Sequence, residues 1–321
     1  MKTQRANWLA AIALLTGLGL SSSAHAVWTF DNAGVSGIGN YTNCSLSSTP
    51  SCDSTAESGA KINNTTVSLS GYYATSMSSN WIKTPANTGG NGPDGLAYFS
   101  GNGQGMYTGG ESGTPYHALD NNGNTEAVLL SFTESTVLTS IGLGYTATTS
   151  STVEIGCRNN TTGVLTTTTG SCGAGTTSMG TTVDISLFRW IGSQAPTLTN
   201  ALGSLGGSWE LVGNYGDMVK DTSNPYNLVN SSGKTSSWWL ISAYNSGFTQ
   251  SSGRETRGTL NDGNDYFKLF AVAGTVCATN LTNGQCGGSS SRVPEPATLA
   301  LTCVALLGAA GLRRRQGKTA A

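Results

Sequence analysis

Apolar and polar residues alternate in short blocks along most of this chain, and clusters of Gly, Asn, Ser and Pro separate the blocks. A period of two marks a strand with one buried face, and no sustained helical stripe interrupts it. The blocks predict strands at "VWTF" 27–30, "TVSLSGYYAT" 66–75, "GLAYFS" 95–100, "EAVLLSF" 126–132 and "TVLTSIGLGY" 136–145. The same style continues at "STVEIGC" 151–157, "TTVDISLFRWIG" 181–192, "SWELVGN" 208–214, "SSWWLISAYN" 236–245 and "DYFKLFAVAG" 265–274. So many short strands exceed what one open sheet holds, and no repeat period favours a propeller or solenoid. The expectation is an all-β body, an antiparallel β-sandwich of jelly-roll type. In the last block, Tyr266, Lys268 and Phe270 fall on one face and Phe267, Leu269 and Ala271 on the other, which predicts one core face and one half-exposed face.

The two ends break this pattern. Lys2 and Arg5, the apolar run 8–20 and the small residues "SSSAHA" ending at Ala26 read as a secretory signal peptide spanning 1–26. At the other end, Ala297–Leu312 is apolar. As a helix it measures about 24 Å, slightly short of a hydrocarbon core of about 30 Å. Arg313, Arg314, Arg315 and Lys318 follow at once and orient that transmembrane helix with its basic tail (313–318) inside. Pro294 and Pro296 exclude regular helix just before it, leaving an extended peptide outside the membrane.

Pro294-Glu295-Pro296, the apolar run 297–312 and the Arg cluster together resemble the PEP-CTERM sorting signal of exosortase-dependent bacterial surface proteins. The resemblance covers 292–321. It implies that an exosortase, a membrane-embedded cysteine transpeptidase, recognises the motif and removes the tail, in bacteria that usually make exopolysaccharide. Glu295 is then recognised rather than catalytic. "HALDNNG...EAVLLSF" and "NDYFKLFAVAG" also resemble bodies of exosortase-dependent surface proteins, a likeness that carries no activity with it. The chain therefore divides into signal peptide, exported body (27–291) and sorting signal.

Composition narrows the function. Charged residues make up only 10% of the 321 positions and the formal net charge is −1, so no basic field attracts nucleic acid. Among the seven cysteines, Cys303 lies in the terminal apolar run. The other six, Cys44, Cys52, Cys157, Cys172, Cys277 and Cys286, fall into neighbouring couples. Sequence alone does not choose among the pairings, and sequential closure is the simplest expectation for an exported chain. Close Cys-x-x-Cys spacing is absent, which argues against structural zinc.

Candidates for chemistry are few. His117 is the one imidazole left after signal removal. Asp120, Asn122 and Asn124, with Glu126 after them, space oxygen donors as a calcium loop does, although Gly123 and the lack of a twelfth-position Glu depart from the EF-hand pattern. The same stretch also reads as an Asn-Gly turn before a strand. Asp262, Asn264 and Asp265 crowd a second turn, and the two loops would share an ion if they met. Glu126, Glu154 and Glu210 are scattered carboxylates from which a glycosidase pair would have to be drawn. Trp238, Trp239 and Tyr244 are candidates for stacking on sugar rings, the adjacent tryptophans pointing to opposite faces of a strand. The Thr-rich stretches "TATTSSTVE" and "TTGVLTTTTG" follow no regular repeat and read as solvated strand and loop rather than a flat Thr ladder.

The expected function is thus a non-enzymatic surface or extracellular-matrix protein associated with extracellular polysaccharide. No cofactor is expected apart from the calcium candidate. Its processing partners are signal peptidase and exosortase, and it contacts the inner membrane transiently. A secreted polysaccharide hydrolase and an adhesin are the alternatives.

Overall fold

The computed structural model describes residues 26–30, 44–45, 51–56, 61–76, 79–83, 95–99, 101–107, 117–149, 153–196, 198, 208–221, 227–248, 255–261, 263–277, 281–282 and 285–286. All of them belong to the unit Ala24–Gly287. The expected signal segment up to His25 and the expected sorting signal, with Pro294, Glu295, Pro296, Arg313, Arg314 and Arg315, lie outside the described residues. Among the described residues no helix is long and apolar enough to cross a membrane.

The described residues are all-β. In chain order the strands are β1 (Ala26–Thr29), β2 (Cys44–Ser45), β3 (Ser51–Ala56), β4 (Lys61–Ala74), β5 (Ile82–Lys83), β6 (Gly95–Phe99) and β7 (Gly103–Tyr107). There follow β8 (Leu119–Asp120), β9 (Thr125–Thr148), β10 (Glu154–Asn159), β11 (Leu165–Thr169), β12 (Thr176–Thr181), β13 (Val183–Trp190) and β14 (Trp209–Met218). The last are β15 (Asn227–Leu228), β16 (Ser236–Ala243), β17 (Glu255–Arg257), β18 (Asp265–Val276), β19 (Leu281–Thr282) and β20 (Gln285–Cys286). Each of the ten blocks of alternation lies on a strand. Ala26, expected as the last residue of the leader, already pairs with Gly274 and Ala56 in β1 and is fully buried.

The blocks 126–132 and 136–145 prove to be one strand. β9 runs for 24 residues, and its first part pairs with β4 and β16 while its second part pairs with β18. The path β9-β4-β3-β1-β18 therefore returns to β9 within a 15-stranded sheet, antiparallel except where β14 meets β17. Thr133 and Glu134, between the two parts, are exposed.

Alternation along β9 separates two apolar clusters. Val128, Leu130 and Phe132 join Trp28, Leu138, Ile141, Phe267 and Trp239 in the main core, where Trp28 meets Phe132 edge to face at 4.8 Å. Ala127 and Leu129 face the other way, toward Phe188, Leu211 and Leu240, over which the loop residues Trp81, Leu198 and Phe248 fold.

β18 departs from the expected half-exposed strand. Asp265 to Gly274 are all buried, because β18 pairs with β1, β7, β8 and β9 and its Phe270, Ala271 and Ala273 form a third small cluster with Val27 of β1. Breaks in register at Leu269 also interrupt the simple alternation. Lys268 is enclosed with its ammonium 4.2 Å from the Phe99 ring centre and 4.6 Å from that of Tyr145. Burial lowers its pKa to about 8.

A smaller sheet, ordered β11-β10-β12, forms a flap. β11 is largely solvated, so its Thr run carries no apolar period that would have marked it as a strand. Cross-strand pairing and the Cys157–Cys172 disulfide hold it instead. Cys277 is disulfide-bonded as well, and Cys44 stands opposite Cys52 in the β2–β3 pair. Cys303 and the side chains of Cys44, Cys52 and Cys286 lie outside the described residues.

Candidate functional site

The loop between β8 and β9 closes on its own donors. The Asn122 backbone N–H donates to Asp120 Oδ1 at 2.9 Å, and the Asp120 N–H donates to Glu126 Oε2 at 3.3 Å. Gly123 has φ 78°, a turn conformation that suits glycine. Asp120 and Glu126 are buried, whereas Asn122 is exposed and Asn124 half-buried. Oxygens proposed for calcium are thus engaged in an Asx turn.

This loop does meet the turn before β18. Asn121, which the donor spacing passed over, links them: its Nδ2 donates to Gly263 O at 3.1 Å and to Tyr244 O at 2.8 Å, while its Oδ1 accepts from the Asp265 N–H at 2.8 Å. Asn264 Nδ2 donates to Asn122 Oδ1 at 3.2 Å. Asp262 lies outside the described residues.

The Asp265 carboxylate takes part in a different cluster. Its Oδ1 accepts from the backbone N–H of Asp184 at 2.9 Å. Asp184 Oδ1 and Oδ2 accept from the N–H groups of Asp217, at 3.2 Å, and Asn261, at 2.8 Å. Asp217 Oδ2 accepts from the Thr259 N–H at 2.7 Å, and the Glu154 carboxyl lies against that of Asp217. Four acids therefore converge from the start of β10, from β13, from the end of β14 and from the start of β18. Asp217 is held at φ 59°, in the left-handed region.

Electrostatics follow from this crowding. Burial, reinforced by the charges of Asp217 and Glu154, raises the Asp184 pKa to about 7 against the lowering effect of its two N–H donors. Burial and the charge of Asp184 raise Asp265 to about 8, again against the Asp184 N–H. Glu154 is raised by burial and then by its contact with Asp217. Glu210 shows the opposite balance: paired with Arg189 at 2.6 Å and Lys234 at 2.7 Å, it is held below the usual carboxylate range despite partial burial.

Asp217 also lines a cavity of ≈ 390 Å³ under the flap. Arg158 on β10 pairs with Asp221 across it at 2.7 Å. Asn227 contributes an amide to the wall, and Leu165 and Leu228, 37% and 57% exposed, contribute apolar surface. Its size matches ordinary small-ligand sites.

The aromatic candidates do not form one surface. Trp239 is fully buried in the main core and its Nε1 donates to Ser236 O at 3.0 Å. Trp238, on the opposite face, is half-buried against the cluster of Phe188, Leu211 and Leu240, and Trp190 packs against Trp209 at 5.2 Å. Tyr244 instead donates its backbone N–H to Asp184 O at 3.0 Å. His117 stacks on Phe99 at 5.6 Å, and its pKa is lowered by burial and by Lys268.

Asp184 and Asp217 are the residues that sequence reasoning missed. The available signal was an acid breaking an apolar strand, Asp184 inside "VDISLF". Comparison with family models, curated proteins and solved structures returns no match for this chain.

Proposed function

We propose that the chain is an exported bacterial surface or extracellular-matrix protein that undergoes exosortase-type sorting, with a β-sandwich body that holds exopolysaccharide without cleaving it. The observation that carries the binding role is the flap-covered cavity, where apolar Leu165 and Leu228 border Arg158, Asp217, Asp221 and Asn227. Sugar rings present apolar C–H faces edged by hydroxyls, and this mixture suits both.

Export is supported by the Cys157–Cys172 bond, since cytosolic thiols stay reduced. The non-catalytic reading is supported by burial. Asp184 and Asp265 have the elevated pKa values of acid catalysts, yet each is only 1% exposed and out of reach of a polymer.

The test is retention of the purified full chain, in detergent, on immobilised bacterial exopolysaccharides. Retention without product release, weakened by Leu228→Glu at the exposed rim, is expected. Release of shortened sugars would favour the hydrolase, and no retention on any polymer would favour the adhesin.

A further inference from the structure

Strand β17 runs parallel to β14 and sets Arg257 opposite Tyr215. Gly216 and Gly258 let the two backbones close here, since a Cβ on either would strike the backbone facing it. Arg257 is thereby placed on the wall of the flap-covered cavity. Its Nη1 donates to Leu228 O at 3.0 Å, which holds the guanidinium beside the exposed Leu228 side chain. We propose that Arg257 makes this cavity selective for acidic polysaccharide, a sugar carboxylate being the group that it grips. This rests on the polysaccharide reading and adds the chemical class of the ligand.

The acceptors of the cavity wall are engaged within the protein. Asn227 Oδ1 accepts from the Val219 N–H at 3.1 Å, while its Nδ2 donates to Ile141 O at 3.2 Å and Val219 O at 2.9 Å. The Tyr215 hydroxyl donates to Glu255 Oε2 at 2.9 Å and accepts from the Asn230 N–H at 2.8 Å. Asp217 Oδ2 accepts from the Thr259 N–H, and the same side chain is hydrogen-bonded to Glu154. Asp221 is held by Arg158 with its side chain only 2% exposed.

Donors are what the wall has left to offer a guest. Arg158 reaches Asp221 through Nη2, and Arg257 reaches Leu228 O through Nη1. Among the described residues no carboxylate pairs with Arg257. Glu255, on the same strand, is occupied by the Tyr215 hydroxyl and by the N–H groups of Ser231 and Ser232. A guanidinium presents five N–H donors in a planar fork that matches a carboxylate, and exposed Arg257 keeps the rest of its fork open to solvent. A sugar ring can lay its C–H face on Leu165 and Leu228 and turn a carboxylate into that fork. Such a charge-assisted bond is roughly twice as strong as one from a neutral hydroxyl. The chain's net charge of −1 sets up no strong field against a polyanion.

The experiment measures retention of the purified full chain, in detergent, on immobilised alginate and polygalacturonate, each beside its carboxyl-reduced neutral form, and on dextran sulfate. The acidic forms are expected to bind at least about tenfold more tightly than the reduced ones, and the difference should shrink as sodium chloride rises. Arg257→Gln, at an exposed position, is expected to remove most of that difference while the melting temperature stays the same. Arg257→Lys keeps the charge without the fork and should fall between the two.

Equal retention of acidic and reduced forms would overturn the selectivity while leaving the polysaccharide reading in place, as would an acid preference that survives Arg257→Gln. Stronger retention on dextran sulfate, lost in Arg257→Gln, would overturn the carboxylate in favour of a sulfate ester. No retention on these polymers or on any bacterial exopolysaccharide would overturn both readings together.

Discussion

The backbone N–H of Asp184 donates to the carboxylate of Asp265 across 2.9 Å, joining strands whose residues lie 81 positions apart. That bond fixes one Asp265 oxygen and leaves the other facing the charge of Asp184 in a place that water does not reach.

Stability should therefore fall as pH rises through the range in which these two acids ionise. The folded chain keeps protons on Asp184 up to about 7 and on Asp265 up to about 8, while both release theirs near 3.8 when unfolded. Between those values the native state binds more protons, so this contribution is complete in acid and is lost as pH climbs through 7 to 8. Thermal melts from pH 5 to pH 9 should show a loss on the order of a few kcal/mol. Asp265→Asn should flatten the profile and be more stable than the unaltered chain at pH 9. Glu210 and Glu255, whose pKa values are lowered, act oppositely and weaken the fold as pH falls below the ordinary carboxylate range.

Breaking the flap staple has a separate signature. Cys157→Ser with Cys172→Ser removes a bond closing a sequence separation of 15, which corresponds to about 3 kcal/mol in the chain-entropy account. Urea unfolding should register that loss, and limited proteolysis should cut first within the Thr-rich β11, where few apolar contacts oppose opening.

Adjacent tryptophans should differ sharply. Trp239→Ala empties a fully buried site in the main core and should cost about 3–5 kcal/mol by chemical denaturation. Trp238→Ala, on the half-buried face, should cost clearly less. Equal losses would contradict the opposite orientation of the pair.

Sorting is tested on the mature product. Mass spectrometry of the secreted protein is expected to find no peptide beyond Leu312, and Glu295→Gln should accumulate precursor in the membrane fraction. A surviving terminal peptide in the mature protein would reject processing.

Much of the architecture was readable because strands write their periodicity locally. "EAVLLSF" and "SSWWLISAYN" carry alternating faces in their own residues, and these became Leu130 against Leu129 and Trp239 against Trp238 on opposite sides of the sheet. Strands without an apolar face, such as β11 and β12, left no such trace, since pairing with β10 makes them. Burial of β18 on both sides was equally hidden, because it depends on neighbours supplied by β1, β7 and β9.

The acid site divides in the same way. Asp265 stood out in a turn crowded with oxygen donors, and its loop meets the one that carries Asp120 through Asn121. Glu154 stood only among scattered carboxylates and Asp184 and Asp217 not at all, since the three are separated along the chain and converge only through long-range strand register. The sequence by itself determined the all-β character and the alternation of faces, both of which rest on local residue chemistry. Only the tertiary structure decided which carboxylates share a low-dielectric space, because that depends on pairings between strands far apart in the chain.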